Sequence, residues 1–143
     1  MLEGLEVDCE TVRVVDHDVR FGVSSDEGDG DEWPPILEKV LGADILVIGT
    51  PIWFGVRSSV CQIVIERLDG TYNTTNDAGQ YPLYNTVAGV VVTGNEGGAH
   101  DAASNTLSLA GSPMTARDTT TVRPAATWAE GGPLSPVVAF TAS

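Results

Sequence analysis

The amino-acid sequence predicts a doubly wound α/β sheet, and two patterns lead to this fold class. Strand-like and helix-like segments alternate along most of the 143-residue chain, as they do when crossover helices join parallel strands. Two of the strand-like segments, 43–49 and 87–92, are continuously apolar, which indicates burial on both faces of a parallel sheet. Ligands of such folds bind beyond the carboxyl ends of the strands, so the loops 50–55 and 93–98 are the candidate sites.

The first half of the chain predicts a strand, a loop, a helix and a second strand. The first strand lies within 6–15, and the polar, glycine-containing segment 16–30 is predicted to be a surface loop too acidic and too flexible to pack. Asp31 can cap a helix with two prolines in its first turn, where proline costs no hydrogen bond, and Gly42 ends this helix. The apolar run 43–49 is predicted to be the central strand.

The second half continues the alternation. Apolar residues recur at helical spacing in 58–68, and Gly70 follows as a stop signal. The polar, glycine-containing stretch 71–83 predicts an irregular excursion. A strand at 87–92 and a helix at 99–109 complete the regular pattern.

Charge limits the partners of this protein. Twenty Asp and Glu residues stand against seven Lys and Arg residues, which gives a net charge of −13. Such a field repels nucleic-acid phosphates and anionic lipid, so we expect neither nucleic acid nor a membrane as a partner. Solubility alone explains an acidic surface, and adaptation to high salt explains it equally well because salt screens self-repulsion.

The two cysteines and the apolar runs bear on location. Cys9 and Cys61 are too far apart for a CxxC pair and imply neither a metal site nor a disulfide framework. No run is long enough to cross a bilayer and no basic leader precedes an apolar stretch, so the expectation is a cytoplasmic protein without a resident metal.

The loop 50–55 suits a flat ring. It contains Thr50, Pro51, Ile52, Trp53, Phe54 and Gly55, and it follows a buried strand, so it presents backbone N–H groups and two aromatic rings to one side of the sheet. A flavin requires such a planar slot with donors for its carbonyl oxygens and N5. The alternative on composition alone is that the two aromatic residues pack into the core.

The segments 43–68 and 88–100 resemble the flavodoxin-type, NAD(P)H-dependent FMN reductases. The resemblance lies in a strand followed by Thr-Pro, an aromatic residue and glycine, then small residues and a helix that ends in an acid-Arg-Leu sequence. It implies a three-layer flavodoxin-like fold, FMN as cofactor and NAD(P)H as electron donor. It also implies a homo-oligomer. The cofactor-binding residues that it implies are Thr50, Pro51, Ile52, Trp53, Phe54, Gly55, Thr93, Gly94, Asn95, Glu96, Gly97, Gly98 and His100.

His100 has two interpretations. It follows the second loop at a helix start, where it can touch flavin or substrate, but a lone histidine is more often a polar surface residue. His17 lies in the acidic loop and is a weaker candidate. The resemblance implies no catalytic nucleophile, because the flavin carries the chemistry.

The resemblance covers about residues 5–110 of what we expect to be a single domain, 1–143, and it fails at both ends. The family's first strand and its phosphate-binding loop are expected to be lacking, with 1–4 resembling the end of the helix that follows them. In the strand order 2-1-3-4-5 that strand lies between two strands that are present. The sheet must then close over the gap, borrow a strand from another chain or expose unpaired edges. The tail 111–143 diverges, as a degraded or frame-shifted reading of a gene would.

Two functions follow as hypotheses. The first is an FMN-binding oxidoreductase that passes electrons from NAD(P)H through flavin to a small-molecule acceptor, such as a quinone or another flavin. The second is a truncated, cofactor-free flavodoxin-like domain that serves as an interaction module or is a nonfunctional fragment. The predicted loss of the phosphate loop favours the second, and the two ring-binding loops favour the first.

Overall fold

The computed structural model describes residues 7–84, 86–111 and 137–142. Its elements in chain order are β1 (Asp8–Arg13), α1 (Trp33–Leu41), β2 (Ile45–Trp53), β3 (Val56–Arg57), α2 (Ser59–Asp69), β4 (Val87–Thr93), α3 (Ala99–Gly111) and β5 (Val137–Ala142). Short 3₁₀ turns follow β1 at Val14–Asp16 and α2 at Gly70–Asn73. The predicted alternation of strands and helices is therefore confirmed up to α3.

The main sheet has the strand order β1-β5-β2-β4. Strand β2 pairs with β4 in parallel, while β5 is antiparallel to both β1 and β2, so that β1, β2 and β4 share one direction. This agrees with the predicted α/β fold class, and the sheet departs from a fully parallel one only at β5 and at the two-residue strand β3.

Strand β5 comes from the tail whose sequence predicted no strand at 137–142. It lies between β1 and β2, where Val138 pairs with both Val12 and Ile48. The sequence analysis expected a strand to be lacking between two strands that are present, and β5 occupies that position. The gap is closed by a strand of the same chain, since an antiparallel strand satisfies the backbone groups of both neighbours as well as a parallel one does.

All three helices pack on one face of the sheet. Leu46 and Ile48 of β2 contact α1 and α2, and Val90 and Val92 of β4 contact α3. These residues share a face because Ile48 stands beside Val90 in the parallel register. The buried helical residues of this core are Trp33, Ile36, Leu37, Val40, Cys61, Val64, Leu68, Ala102 and Ala103.

The opposite face of β2 and β4 is less covered than the continuously apolar sequence predicted. Ile45 and Val47 are half-buried, whereas Val87 and Val91 are exposed, Val91 by 50%. No helix in the described part of the chain packs there, so the described residues supply two of the three predicted layers. Apolar sequence alone could not distinguish a covered face from an uncovered one.

The helix boundaries follow the predicted signals closely. Helix α1 has proline in its first turn, and the backbone N–H of Gly42 at its end donates to Glu38. Ser58 caps α2 by accepting a hydrogen bond from the backbone N–H of Cys61 at 3.2 Å. The N-cap position of α1 is Glu32 and not the predicted Asp31, but the Asp31 carboxylate accepts from the backbone N–H of Trp33, the first residue of α1, at 3.1 Å.

The acidic loop 16–30 lies at the surface as predicted, but hydrogen bonds hold it in place, contrary to the expectation that it is too flexible to pack. Asp31 accepts hydrogen bonds from the backbone N–H groups of Arg20 and Glu27, and Arg67 of α2 donates to the carbonyl of Arg20. The Arg67 guanidinium also donates to Asp31 at 2.6 Å, and both side chains are fully buried. A buried ion pair that also satisfies loop backbone groups orders a segment whose composition indicates only solvation.

Burial would raise the pKa of Asp31, but hydrogen bonds from the backbone of Glu27, Trp33 and Arg20 and from Arg67 outweigh it. They lower the pKa of Asp31 from 3.8 to about 2. The carboxylate is therefore ionised at neutral pH, and the loop is held by a charge that only strong acid removes.

Other parts of the sequence interpretation lie outside the described residues. These are the helix end predicted at 1–4 and a short strand at 119–123. Among the residues that the structure describes, no helix is long and apolar enough to cross a membrane.

Candidate functional site

Of the first candidate loop, 50–55, residues Thr50 to Trp53 belong to β2, and only Phe54 and Gly55 form the turn between β2 and β3. Trp53 pairs with Val56, and the turn residues Phe54 and Gly55 have φ values of 53° and 83°. Two successive positive φ values are typical of the type I′ turn, which usually contains Asn-Gly because an L side chain is strained there. Phe54 therefore occupies a strained position at the tip of the hairpin.

The burial of this loop changes along its length. Pro51 and Ile52 are buried at the end of β2, whereas Trp53 is 51% exposed and Phe54 is 99% exposed. Core packing, the alternative for the two aromatic residues, does not fit these exposures. The rings lie at the surface of the carboxyl edge of the sheet, where a planar ligand has access to them.

Thr50 stabilises the loop through hydrogen bonds of its buried hydroxyl. Its side chain is buried, its hydroxyl donates to the Pro51 carbonyl at 3.0 Å, and it accepts from the backbone N–H of Ser58 at 3.1 Å. These bonds join the end of β2 to the first turn of α2. The structure therefore places Thr50 where it can hold the loop in shape, and its hydroxyl is already occupied.

The second candidate loop, 93–98, meets the first through glycine backbones. A Cβ atom added to Gly98 would lie 2.7 Å from Cα and 2.8 Å from the carbonyl carbon of Gly55, and the φ of Gly98 is 104°. The Gly98 carbonyl accepts from the backbone N–H of Ala102, in the first turn of α3. The two loops thus form one continuous edge, which we call the two-loop edge (residues 50–55 and 93–98).

The remaining predicted site residues line this edge unevenly. Thr93 and Gly94 are half-buried, and Gly94 would clash lightly with Ile52 if it carried a side chain. The other members are exposed: Asn95, Glu96, Gly97 and, in the first turn of α3, His100. The fold therefore brings the two predicted loops together, with His100 beyond them on the helix. His17 is exposed on the loop after β1.

A cavity of about 590 Å³ adjoins the hairpin, and sequence analysis missed it. Its lining includes Trp53, Val56, Arg57, Ser59, Gln62 and Ala102, from the hairpin, α2 and α3. We call it the Arg57 cavity. Nothing in the sequence signals it, because the position of Arg57 depends on how the hairpin folds against two helices.

Cys61 and the acidic groups offer no second reaction centre. Cys61 is fully buried and burial raises the pKa of its thiol, which keeps it protonated and unreactive. Among the described residues, no group of three or more His, Cys, Asp or Glu residues could hold a metal ion.

Two curated proteins are similar to this chain over about three quarters of its length. The chain is 42% identical over 118 residues to an 8-demethyl-8-aminoriboflavin-5′-phosphate synthase of Streptomyces davaonensis, a match that covers 76% of this chain and 45% of the relative. It is 44% identical over 108 residues to a protein of Mycobacterium bovis named divalent metal cation transporter MntH, covering 73% of this chain and 16% of that protein.

A solved structure is also similar. The crystal structure of RosB, with the bound intermediate 8-demethyl-8-formylriboflavin-5′-phosphate, matches with a TM-score of 0.65 and 36% identity. The match covers 82% of this chain and 52% of that chain, so this chain spans about half the length of RosB and of the synthase. The fold class is therefore confirmed as α/β and flavodoxin-like.

The family model of the NADPH-dependent FMN reductases matches residues 1–127, which include both candidate loops. A match over most of the chain shows the relationship directly, and the 42% identity to a relative agrees with it. The chain belongs to the NADPH-dependent FMN reductase family.

Proposed function

We propose that this chain binds riboflavin 5′-phosphate with the ring against the two-loop edge, and that it transfers electrons from NAD(P)H to a small acceptor such as a quinone or another flavin. The observation that carries this proposal is the backbone contact between Gly55 and Gly98. This contact joins two glycine-containing loops at the edge where α/β folds bind ligands. Because glycine has no side chain, a flat ring can approach the backbone closely there.

The residues of the two-loop edge fit an isoalloxazine ring. Trp53 offers a half-exposed aromatic face, and the exposed Phe54 lies beside it at the turn. Thr50 holds the loop through Ser58, so the backbone donors of the edge are fixed before a ligand arrives. A bound flavin would accept hydride and pass the electrons on, while the chain would position the flavin and exclude water.

The same edge does not fit the phosphate of FMN. Its only charged side chain, Glu96, is acidic, and the residues 50–55 and 93–98 include no Lys or Arg. A phosphate is normally held by a helix N-terminus with hydroxyl or basic groups. We therefore assign recognition of the ring, and not of the phosphate, to the two-loop edge.

Titration with two flavins tests the proposal. We expect FMN and lumiflavin, which has the ring without the ribityl phosphate, to bind with affinities within about tenfold of each other, because the proposed contacts are to the ring. Quenching of flavin fluorescence measures both affinities. Absence of binding by either flavin at saturation would favour the cofactor-free domain, the alternative function that the sequence suggested.

A second candidate function uses flavin phosphate as the substrate. It is favoured by the 42% identity to the synthase, whose name describes a modified riboflavin phosphate, and by the bound intermediate of RosB. In this case the C8 methyl group of FMN would be oxidised by dioxygen, or replaced by an amino group when an amine donor is added as well, on incubation with the protein. Mass spectrometry of the recovered flavin distinguishes the two functions, since an oxidoreductase returns FMN with its mass unchanged.

We also propose that the chain self-associates in the cytoplasm. The exposed apolar residues Trp53, Phe54 and Val56 favour a partner surface at the hairpin, because adjacent exposed apolar residues often mark association sites. Sedimentation velocity measures the oligomeric state, and a monomer at all concentrations would contradict this part of the proposal.

A further inference from the structure

The Arg57 cavity has the size and the two-sided lining of a small-molecule site. Its volume of about 590 Å³ lies within the ordinary range for such sites, which is roughly 300–1,000 Å³. Trp53, Val56 and Ala102 supply apolar surface, and Arg57 and Gln62 supply polar groups. An apolar body with one polar end would match this distribution.

The polar end is dominated by a guanidinium group that lacks a full set of partners. Arg57 Nε donates to Oε1 of Gln62 at 2.7 Å, and Gln62 Nε2 in turn donates to Glu66 at 2.8 Å, which fixes the orientation of the carboxamide. Arg57 Nη1 is fully buried and has no hydrogen-bond partner among the described residues. A charged group with an unsatisfied donor is costly, so the guanidinium as a whole would gain from an acceptor oxygen placed beside it in the cavity.

Arg57 differs from three of the four other Lys and Arg side chains among the described residues; the fourth, Arg20, is exposed and, like Arg57, forms no ion pair there. Arg13, Lys39 and Arg67 each form an ion pair with a carboxylate of the protein. Within the described residues, Arg57 forms no ion pair, although the chain carries a net charge of −13. Although the chain is rich in carboxylates, none of those described pairs with Arg57. Its positive charge therefore remains available at the cavity.

The start of α2 reinforces the positive potential. Ser58 caps this 11-residue helix, and Ser59 in its first turn lines the cavity. The N-terminal end of a helix carries a partial positive charge and favours anions. The guanidinium and the helix end therefore both contribute positive potential to the cavity lining.

We propose that the Arg57 cavity binds an organic oxyanion, a carboxylate or phosphate monoester attached to an apolar body. The oxyanion accepts from the guanidinium of Arg57, and the body packs between Trp53 and Ala102. The cavity shares Trp53 with the two-loop edge, but its polar groups, Arg57 and Gln62, lie outside that edge, so anion binding does not require a bound flavin.

Binding of three small probes to the flavin-free chain tests the inference. Benzoate and phenyl phosphate carry the oxyanion, and benzyl alcohol is the neutral counterpart; nuclear magnetic resonance titration measures each affinity. We expect both anions to bind at least about tenfold more tightly than the alcohol, since a hydrogen bond to a charged group is roughly twice as strong as a neutral one. The anion that binds more tightly identifies the preferred class.

Substitutions of Arg57 test whether its charge is the group that binds the anions. We expect Arg57→Gln to weaken binding of the anions by about tenfold or more and to leave the alcohol unchanged. Arg13→Gln removes an exposed charge on β1 and is the matched control, with an expected change below about twofold. Arg57→Lys keeps the charge without the planar fork and is expected to bind at an intermediate level.

Two outcomes would overturn the inference. One is equal affinity of the wild type for benzoate, phenyl phosphate and benzyl alcohol, or no binding of either anion at millimolar concentration. The other is anion binding that Arg57→Gln and Arg57→Lys leave intact. If Arg57→Gln does not fold, two other measurements decide between the outcomes. One is the affinity of Arg57→Lys for the anions, and the other is the perturbation of the Arg57 side-chain resonances by inorganic phosphate. Failure of flavin binding alone would leave these measurements unaffected and would contradict only the oxidoreductase proposal.

Discussion

The contact between Gly55 and Gly98 gives the sharpest prediction. In Gly98→Ala the new Cβ atom would lie 2.7 Å from Cα of Gly55, whereas carbon atoms in contact are ordinarily about 3.5–4.0 Å apart. The loops must therefore separate by about 1 Å. The φ of 104° at Gly98 adds backbone strain of about 1–3 kcal/mol for an L residue.

Overpacking and strain together are expected to lower the free energy of unfolding by about 2–4 kcal/mol. Urea denaturation measures this loss. We also expect the affinity for FMN to fall by about tenfold or more, as the edge that faces the ring is displaced, and fluorescence quenching measures it.

Gly97→Ala is the matched control. An added Cβ at Gly97 would meet no atom within 4 Å, so we expect a change in stability below about 0.5 kcal/mol and little change in FMN affinity. If Gly98→Ala were as stable as the wild type and bound FMN equally well, the contact between the loops would not have the importance that we assign to it.

Four further predictions follow from the loop, the turn and the sheet. Asp31→Asn is expected to cost about 3–5 kcal/mol in urea denaturation, because it leaves Arg67 buried without its counter-charge. Because the pKa of Asp31 is lowered to about 2 from 3.8, its charge stabilises the fold above pH 4. About 2 kcal/mol of that stabilisation is expected to be lost as the pH falls from about 4 to 2, which acid titration of unfolding measures. Phe54→Asn is expected to raise the unfolding free energy by about 1 kcal/mol, because asparagine tolerates the positive φ of 53°. Val138→Pro is expected to destabilise the sheet by about 3 kcal/mol in thermal denaturation, because β5 pairs on both sides and proline cannot donate to the ladder.

Each of these predictions has a result that contradicts it. Asp29→Asn changes an exposed acid of the same loop, and a cost equal to that of Asp31→Asn would show that the buried pair is unimportant. Stability that does not change between pH 4 and 2 would contradict the lowered pKa. Loss of stability in Phe54→Asn would mean that the ring packs in solution, and a neutral Val138→Pro would mean that β5 does not complete the sheet.

The local elements could be predicted because their signals are local. The helical spacing of apolar residues, the prolines in the first turn of α1 and the stop at Gly42 each act within a few residues, and the helices begin and end close to them. The two loops of the site could be predicted for the same reason. Each follows a buried parallel strand, and the sheet aligns their ends.

The errors arose where partners distant in sequence decide the outcome. The loop 16–30 was expected to be flexible, but Arg67, 36 residues from Asp31, orders it. The strand β5 was not predicted, since its position depends on the gap between β1 and β2 and not on a strong local pattern. The predicted role of Thr50 in flavin binding stays a prediction, and only the folded chain shows that its hydroxyl also joins β2 to α2.

The sequence by itself determined the α/β class, the family resemblance and the two glycine-containing loops at 50–55 and 93–98, because periodicity and short motifs are carried by neighbouring residues. Only the tertiary structure decided that Gly55 and Gly98 touch, that β5 fills the sheet, and that Arg57 lies in a cavity with a buried, unpaired nitrogen. The physical reason is that contact, burial and unsatisfied charge depend on which distant segments meet in space, which only the folded chain fixes.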